Sequence, residues 1–373
     1  MKQLIFLFVL VLCTSCFSKK RDSANSENKN EEIQKRMDPV YLKGEPLFCD
    51  STIWGTNFCE MIGGYLIMQS NYNSPIFFIY EIKGNKLIEK GHFLSRGDGP
   101  FEMLQPHSFY DVKTNKFYLY DYIGIFKSMY MIDMEKITNL FDVSSWKKIS
   151  LPDTKAFYMG GSMIKMNDST LLALGSRFNS TNLFSTIALN VEACHELDFP
   201  YPTNDATFNM PSAVKQGVYM DATIVKHPSE NQFVYACGSG KYASIISILD
   251  TVLNEKRNFL SVYPKYTTKD GLNRSYQNDC LRGMQVRVTN RYIYIQLMPL
   301  TKGDVREHVL YKEYPNYCND ELLVFNWDGF LVKKYVLDIP IYSYVVDLKD
   351  QYLYGISIDL KSDNPILKCY HLK

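Results

Sequence analysis

From residue 40 to the end, this chain repeats one pattern. Short runs of Val, Ile, Tyr, Phe and Leu alternate with Gly, Asn, Asp, Pro and Ser, the signature of successive strands and turns. The runs fall into fours: Asn57–Met61, Tyr65–Gln69, Ile76–Ile82 and Lys86–Phe93; then His107–Val112, Lys116–Asp121, Lys127–Asp133 and Lys147–Leu151; then Gly160–Lys165, Thr170–Leu174, Leu183–Leu189 and Ala193–Leu197. A fourth group covers Tyr219–Val225, Gln232–Ala236, Ala243–Leu249 and Lys256–Val262, and a fifth Leu281–Val288, Tyr292–Leu297, Glu321–Asn326 and Leu331–Leu337. The sixth has only three runs, Tyr342–Asp347, Tyr352–Ile358 and Pro365–His371, before the chain ends. A repeat of about 40 to 60 residues with a deficit in its last copy predicts an all-β, six-bladed β-propeller of four-stranded antiparallel blades. A ring must close without leaving an open strand edge. Part of the spare segment Asp38–Cys49 is therefore expected to complete the last blade. Only Met131–Phe141 reads as a short helix.

Loop lengths carry a second prediction. In a blade, the A–B and C–D turns lie on one face and the B–C and D–A connections on the other. The A–B turns are short throughout, whereas Leu94–Pro106, Asp198–Val218, Tyr263–Cys280 and Met298–Asp320 are long. The first three are D–A connections and the last is B–C, so all four are expected on one face; Met134–Trp146 is the exception. Long loops on a rigid scaffold are where binding residues concentrate.

Composition narrows the class. Lys and Arg number 41 against 40 Asp and Glu, a net charge of +1. That balance excludes the basic excess a nucleic-acid partner requires. At 46% hydrophobic and 22% charged, the chain is that of a folded domain. The 28 Tyr and 22 Phe suit strands.

The N-terminus reads as an address. Met1-Lys2-Gln3 precedes an apolar run, Leu4–Leu12, too short to span a bilayer, and then Cys13-Thr14-Ser15-Cys16. This arrangement resembles a bacterial lipoprotein signal, with the departure that Cys13 stands where Leu is usual. The resemblance implies a signal peptide over 1–15 and lipidation of Cys16. Residues 16–39, rich in Ser, Asn, Lys and Glu, read as a disordered tether, and 40–373 as the propeller. The expected place is the bacterial cell envelope, outer membrane or periplasm, with acyl chains as the membrane anchor. Of the remaining cysteines, Cys59, Cys237 and Cys369 read as buried free thiols. Cys280 and Cys318, in loop-like segments, are the one pair for which a disulfide is suspected.

Ser95-Arg96-Gly97-Asp98-Gly99-Pro100-Phe101-Glu102, followed by a strand ending in Asp121, resembles the six-bladed, TolB-like propeller lipoproteins. That family often carries Gly-x-Gly-Pro-Gly-Glu after its first blade. Here Gly97, Gly99, Pro100, Glu102 and Asp121 match, and Phe101 replaces a Gly. The family implies the fold and the envelope location and supplies no catalytic residues.

Other motifs dissolve on inspection. Cys237-Gly238-Ser239-Gly240-Lys241 lacks the earlier Gly of a phosphate loop, because Tyr235 stands there. The six His show no metal-ligand spacing, and no Gly-x-Ser-x-Gly elbow occurs. No catalytic residue, metal site or cofactor is predicted. The ligand-binding candidates are Arg96, Asp98 and Glu102 in the first long loop, and His107, Asp221 and Arg282 on or beside the strands expected to line the central channel. Arg306 and Tyr311 join them from the Met298–Asp320 insertion. The leading expectation is a non-catalytic platform for an envelope protein, peptide or glycan. The alternative is a hydrolase or lyase acting on a glycan or lactone at the channel mouth, as clustered carboxylates with shifted pKa values there would indicate.

Overall fold

The computed structural model describes residues 36–55, 57–70, 74–122, 126–189, 191 and 193–372. Cys16, the signal segment and nearly all of the tether lie outside these. Six antiparallel sheets form a ring. Blade one comprises Asn57–Ile62, Tyr65–Gln69, Phe77–Lys83 and Lys86–Phe93. Blade two comprises Pro106–Asp111, Lys116–Tyr122, Phe126–Asp133 and Lys147–Ile149. Blade three is Phe157–Asn167, Thr170–Arg177, Phe184–Ala188 and Ala193–Glu196, and blade four Ala222–Lys226, Gln232–Cys237, Lys241–Leu249 and Val252–Val262. Met284–Val288, Tyr292–Leu297, Asn319–Asn326 and Leu331–Ile341 make blade five; Ser343–Val346, Tyr352–Ile358 and Pro365–His371 begin blade six.

The N-terminal segment supplies the missing strand and does more. Glu45–Pro46 pairs antiparallel with Pro365–His371, completing blade six. Before it, Val40–Leu42 pairs parallel with Leu331–Ile341 on blade five. After it, Phe48–Cys49 pairs parallel with Lys86–Phe93 on blade one. One segment thus staples the outer edges of three consecutive blades. Leu42 is buried with Tyr335, Leu337 and Tyr370, and Leu47 with Leu87 and Leu367. Gly44 allows the crossing, because a Cβ there would stand 2.7 Å from the Tyr370 ring. Pro46 lacks an N–H, which an edge strand tolerates.

The core is divided by the ring. Each blade packs on two neighbours, so inner strands are buried on both faces; Gln232–Cys237 is buried at every position. Six apolar clusters result, one at each junction between blades. Between blades one and two, Ile79, Phe93, Phe117, Leu119 and Trp146 pack together, with Phe93 edge-on to Trp146 at 6.1 Å.

Helices differ from expectation. The Met131–Phe141 stretch remains strand to Asp133 and then forms only a 3₁₀ turn at Ile137–Leu140. An unforeseen α-helix, Ser212–Tyr219, follows blade three. Its Gly217 and β-branched residues give weak intrinsic helicity. Packing holds it instead, through buried Val214, Val218 and Tyr219. A short helix at Lys302–Arg306 has a capping box from Thr301 and Asp304. Among the described residues, no helix is long and apolar enough to cross a membrane.

The suspected disulfide is not formed. Cys280 and Cys318 are both buried free thiols. The Cys280 Sγ donates to the Leu281 carbonyl at 3.5 Å, whereas Cys318 packs into the cluster between blades six and one. Cys237 and Cys369 are buried as expected, but Cys59 is only half-buried because it faces the channel.

Candidate functional site

The first strand of each blade faces the axis, so residues far apart in sequence meet around a central channel. Two cavities share Cys59, His107, Ser108 and Arg287 as common wall. One, of about 490 Å³, opens toward the long-loop face beside Arg96, Gln105 and Gln69. The other, of about 440 Å³, continues past Glu60, Ser162 and Thr223 to Asp111, Lys165 and Lys226 at the short-turn end.

His107 stands where they meet. Its ring stacks on Tyr120 at 5.6 Å and meets Tyr122 edge-on at 5.9 Å. Gly161 makes room for it, since a Cβ there would lie 2.8 Å from the imidazole Cε1. Burial pushes its pKa down, against a smaller upward pull from Asp121, which favours a neutral imidazole.

Arg287 crosses the channel from blade five. Nε donates to the Tyr344 carbonyl at 3.0 Å, Nη2 to the Phe58 carbonyl at 2.8 Å and Nη1 to the Val286 carbonyl at 3.3 Å. A fixed guanidinium therefore ties blades five, six and one. Burial raises the Glu60 carboxyl, and Arg287 partly offsets this. Burial also pushes the Cys59 thiol up to about 12. At neutral pH Cys59 is a thiol, not the thiolate that nucleophilic chemistry requires.

The first long loop is a built turn. Glu102 Oε2 accepts from the Gly99 amide at 3.1 Å, and a Cβ on Gly97 would collide with that oxygen. Phe101 holds a left-handed backbone, φ +59°, in the place where Gly is usual. Its ring packs on Tyr130 at 5.4 Å and Trp146 at 6.0 Å, an interaction that offsets the backbone strain. Asp121 is buried and accepts the Leu104 and Gln105 amides at 3.1 and 2.7 Å. The loop is thereby fixed to blade two.

The structure places the predicted site residues in three settings. Arg96, His107 and Asp221 line the channel; Arg96 Nη1 also donates to the Leu104 carbonyl at 2.6 Å. Asp98 and Glu102 lie in the turn, away from both cavities, with Asp98 exposed. Arg282, Arg306 and Tyr311 brace loops. Arg282 donates to the Asn316 carbonyl and Oδ1, each at 3.0 Å; Arg306 donates to Asn278 Oδ1 at 2.6 Å and the Tyr276 carbonyl at 3.0 Å; the Tyr311 hydroxyl donates to Asp320 at 2.8 Å. Sequence reasoning missed Glu60, Lys165 and Lys226. Their signal was a charged residue inside a first-strand apolar run. Among the described residues, no three His, Cys, Asp or Glu side chains converge to hold a metal ion.

A family model for the TolB-like 6-blade propeller-like proteins matches residues 61–349, more than half of the chain. The chain belongs to this TolB-like propeller family. The match begins inside the first strand of blade one and ends after the first strand of blade six. The stapling segment lies outside it. No curated protein matches the sequence. Among solved structures, the Cps50 (Swd1) β-propeller domain of Myceliophteria thermophila is 8% identical at a TM-score of 0.40, covering 88% of this chain and 100% of that one. A putative 6-phosphogluconolactonase from Bacteroides uniformis is 10% identical at 0.38, covering 81% and 79%. Hydrazine synthase of Kuenenia stuttgartiensis is 11% identical at 0.37, covering 82% and 80%.

Proposed function

We propose that this TolB-like propeller is an envelope lipoprotein, anchored through Cys16, that acts as a non-catalytic binding platform for a protein, peptide or glycan. One observation carries the reading: the long connections of blades three to five are braced into a rigid rim that leaves large apolar side chains uncovered. Gln216 Nε2 ties the Ser212–Tyr219 helix to the Ser176 and Arg177 carbonyls at 3.2 and 3.1 Å. Tyr219 meets Tyr266 of the next connection edge-on at 6.3 Å. That connection is joined to the blade-five insertion by Arg306 and by the Gly303 amide, which donates to the Asn278 carbonyl at 2.8 Å. On this rim Phe178, Phe208, Leu272 and Leu310 are 60%, 69%, 56% and 56% exposed. Large apolar groups held out on a rigid surface favour recognition.

The test is crosslinking in intact cells with the full chain against a variant with all four residues changed to Ser. The expected outcome is a crosslinked species in the parent that the variant loses while its melting temperature is unchanged. An identical pattern in both chains, or no crosslinked species in either, rejects the platform. Replacing the whole insertion is the poorer test, because Arg306, Tyr311 and Asp320 hold it together.

A hydrolase or lyase at the channel mouth is the second reading. It is favoured by the raised Glu60 carboxyl and the lowered His107 imidazole in one channel. Turnover of a glycan or lactone abolished by both Glu60→Gln and His107→Gln would select it.

A further inference from the structure

At the short-turn end of the channel, Lys165 and Lys226 line the cavity with Asp111, and the exposed Lys113 and Asp168 stand outside its lining. Lys226 ends the first strand of blade four, Lys165 lies near the end of that of blade three, and Lys113 follows that of blade two. The acids are Asp111 and Asp168, and both are committed to one base. The Lys165 ammonium is 2.8 Å from Asp168 and 3.6 Å from Asp111. Asp111 also accepts the Thr114 hydroxyl.

Lys226 is the remainder. It is half-buried and lines the 440 Å³ cavity. Among the described residues, its ammonium has no hydrogen bond, and no carboxylate oxygen lies within 4.0 Å of it. Burial pushes its pKa down; Asp111, without touching it, pulls the pKa back up, ahead of the repulsion from Lys113 and Lys165, and Asp168 adds a smaller upward pull. A half-buried ammonium in a cavity wall with no carboxylate in contact is less well compensated than one in an ion pair. An anion entering the cavity would supply the close partner that Asp111, engaged with Lys165, does not. Farther along the same wall stand Glu60, which Arg287 attracts, and Asp221 at the opposite end.

We propose that this end of the channel is an oxyanion-binding site, in which Lys226 receives the carboxylate or phosphate group of a small organic anion. The body of that molecule occupies the cavity, beside the Ser108 and Thr223 hydroxyls. The volume lies in the range of small-molecule pockets. The site is on the face opposite the apolar rim, so its failure and that of the platform are separate events.

The experiment measures thermal unfolding of the full chain with inorganic phosphate or succinate at millimolar concentration, against chloride at equal ionic strength. At least one probe raises the melting temperature beyond chloride, because a ligand that binds only the folded state stabilises it. Lys226→Met loses that response, and without ligand it melts a few degrees (~2–5 °C) above the parent, since a half-buried charge with no carboxylate in contact is gone. Lys226→Arg keeps the response. A response to phosphate alone assigns a phosphate ester, to succinate alone a carboxylate, and to both the shared oxyanion chemistry. The proposal is overturned if neither probe exceeds chloride, if Lys226→Met responds as the parent does, or if ligand-free Lys226→Met melts at or below the parent.

Discussion

Single residues here are used mainly to hold backbone in place, and Asp121 shows how. Its buried carboxylate satisfies two loop amides, which no apolar replacement can do. Asp121→Ala should cost about 1–3 kcal/mol, measured by urea unfolding, because two part-buried loop amides lose a charged acceptor; Asp121→Asn should recover part. His107 adds a pH dependence with a definite sign. Its folded pKa is lowered, so below the ordinary value of about 6.5 the unfolded chain binds the proton more readily. Stability is then full above about 6.5 and is lost as pH falls toward the folded pKa, with a slope of at most about 1.4 kcal/mol per pH unit. His107→Gln should flatten the stability profile between about pH 6.5 and 5 relative to the parent. Glu60 is raised and acts in the opposite sense over its own range, so the difference between the two profiles isolates His107. The motif around Gly97 was readable as a family element. That Phe101 would keep a glycine-like φ was not, because the compensating rings of Tyr130 and Trp146 come from blade two.

At the scale of elements, the least conventional part is the staple. Two of its three pairings are parallel, and each is only two or three residues long. Backbone bonds alone would hold it weakly; Leu42 and Leu47, driven into adjacent junctions, supply the rest. Leu47→Ala should destabilise by about 2–4 kcal/mol, because a buried leucine is removed between blades six and one where collapse is limited by β-sheet. Hydrogen exchange should show the loss first at amides of the outer strands Lys86–Phe93 and Pro365–His371. Unchanged protection there would mean that the segment only rests on the ring. The Ser212–Tyr219 helix illustrates the opposite case, in which local preference was overridden by burial. Gln216→Ala should cost about 1–2 kcal/mol through the buried Ser176 carbonyl and hydroxyl that lose its amide, whereas the Arg177 carbonyl keeps the Ser180 amide.

For the whole molecule, closure is the decisive event. The staple joins blades five, six and one on the outside, and Arg287 joins the same three across the channel. Arg287→Met should therefore lower stability by about 2 kcal/mol, since water replaces the lost donors only in part. Its effect should add to that of Leu47→Ala in a double-mutant cycle, given the separation of rim and axis. Blade number, strand order, the short last blade and the face carrying the long loops were all legible from the amino acids. These properties depend on turn residues and apolar runs that are local along the chain. The tertiary structure decided which polar residues share the channel, because Glu60, His107, Lys165, Lys226 and Arg287 meet only when five first strands curve around one axis. It also decided that Arg282, Arg306 and Tyr311 would be spent on bracing loops, since a side chain's partner is set by what the ring brings beside it and not by its neighbours in sequence.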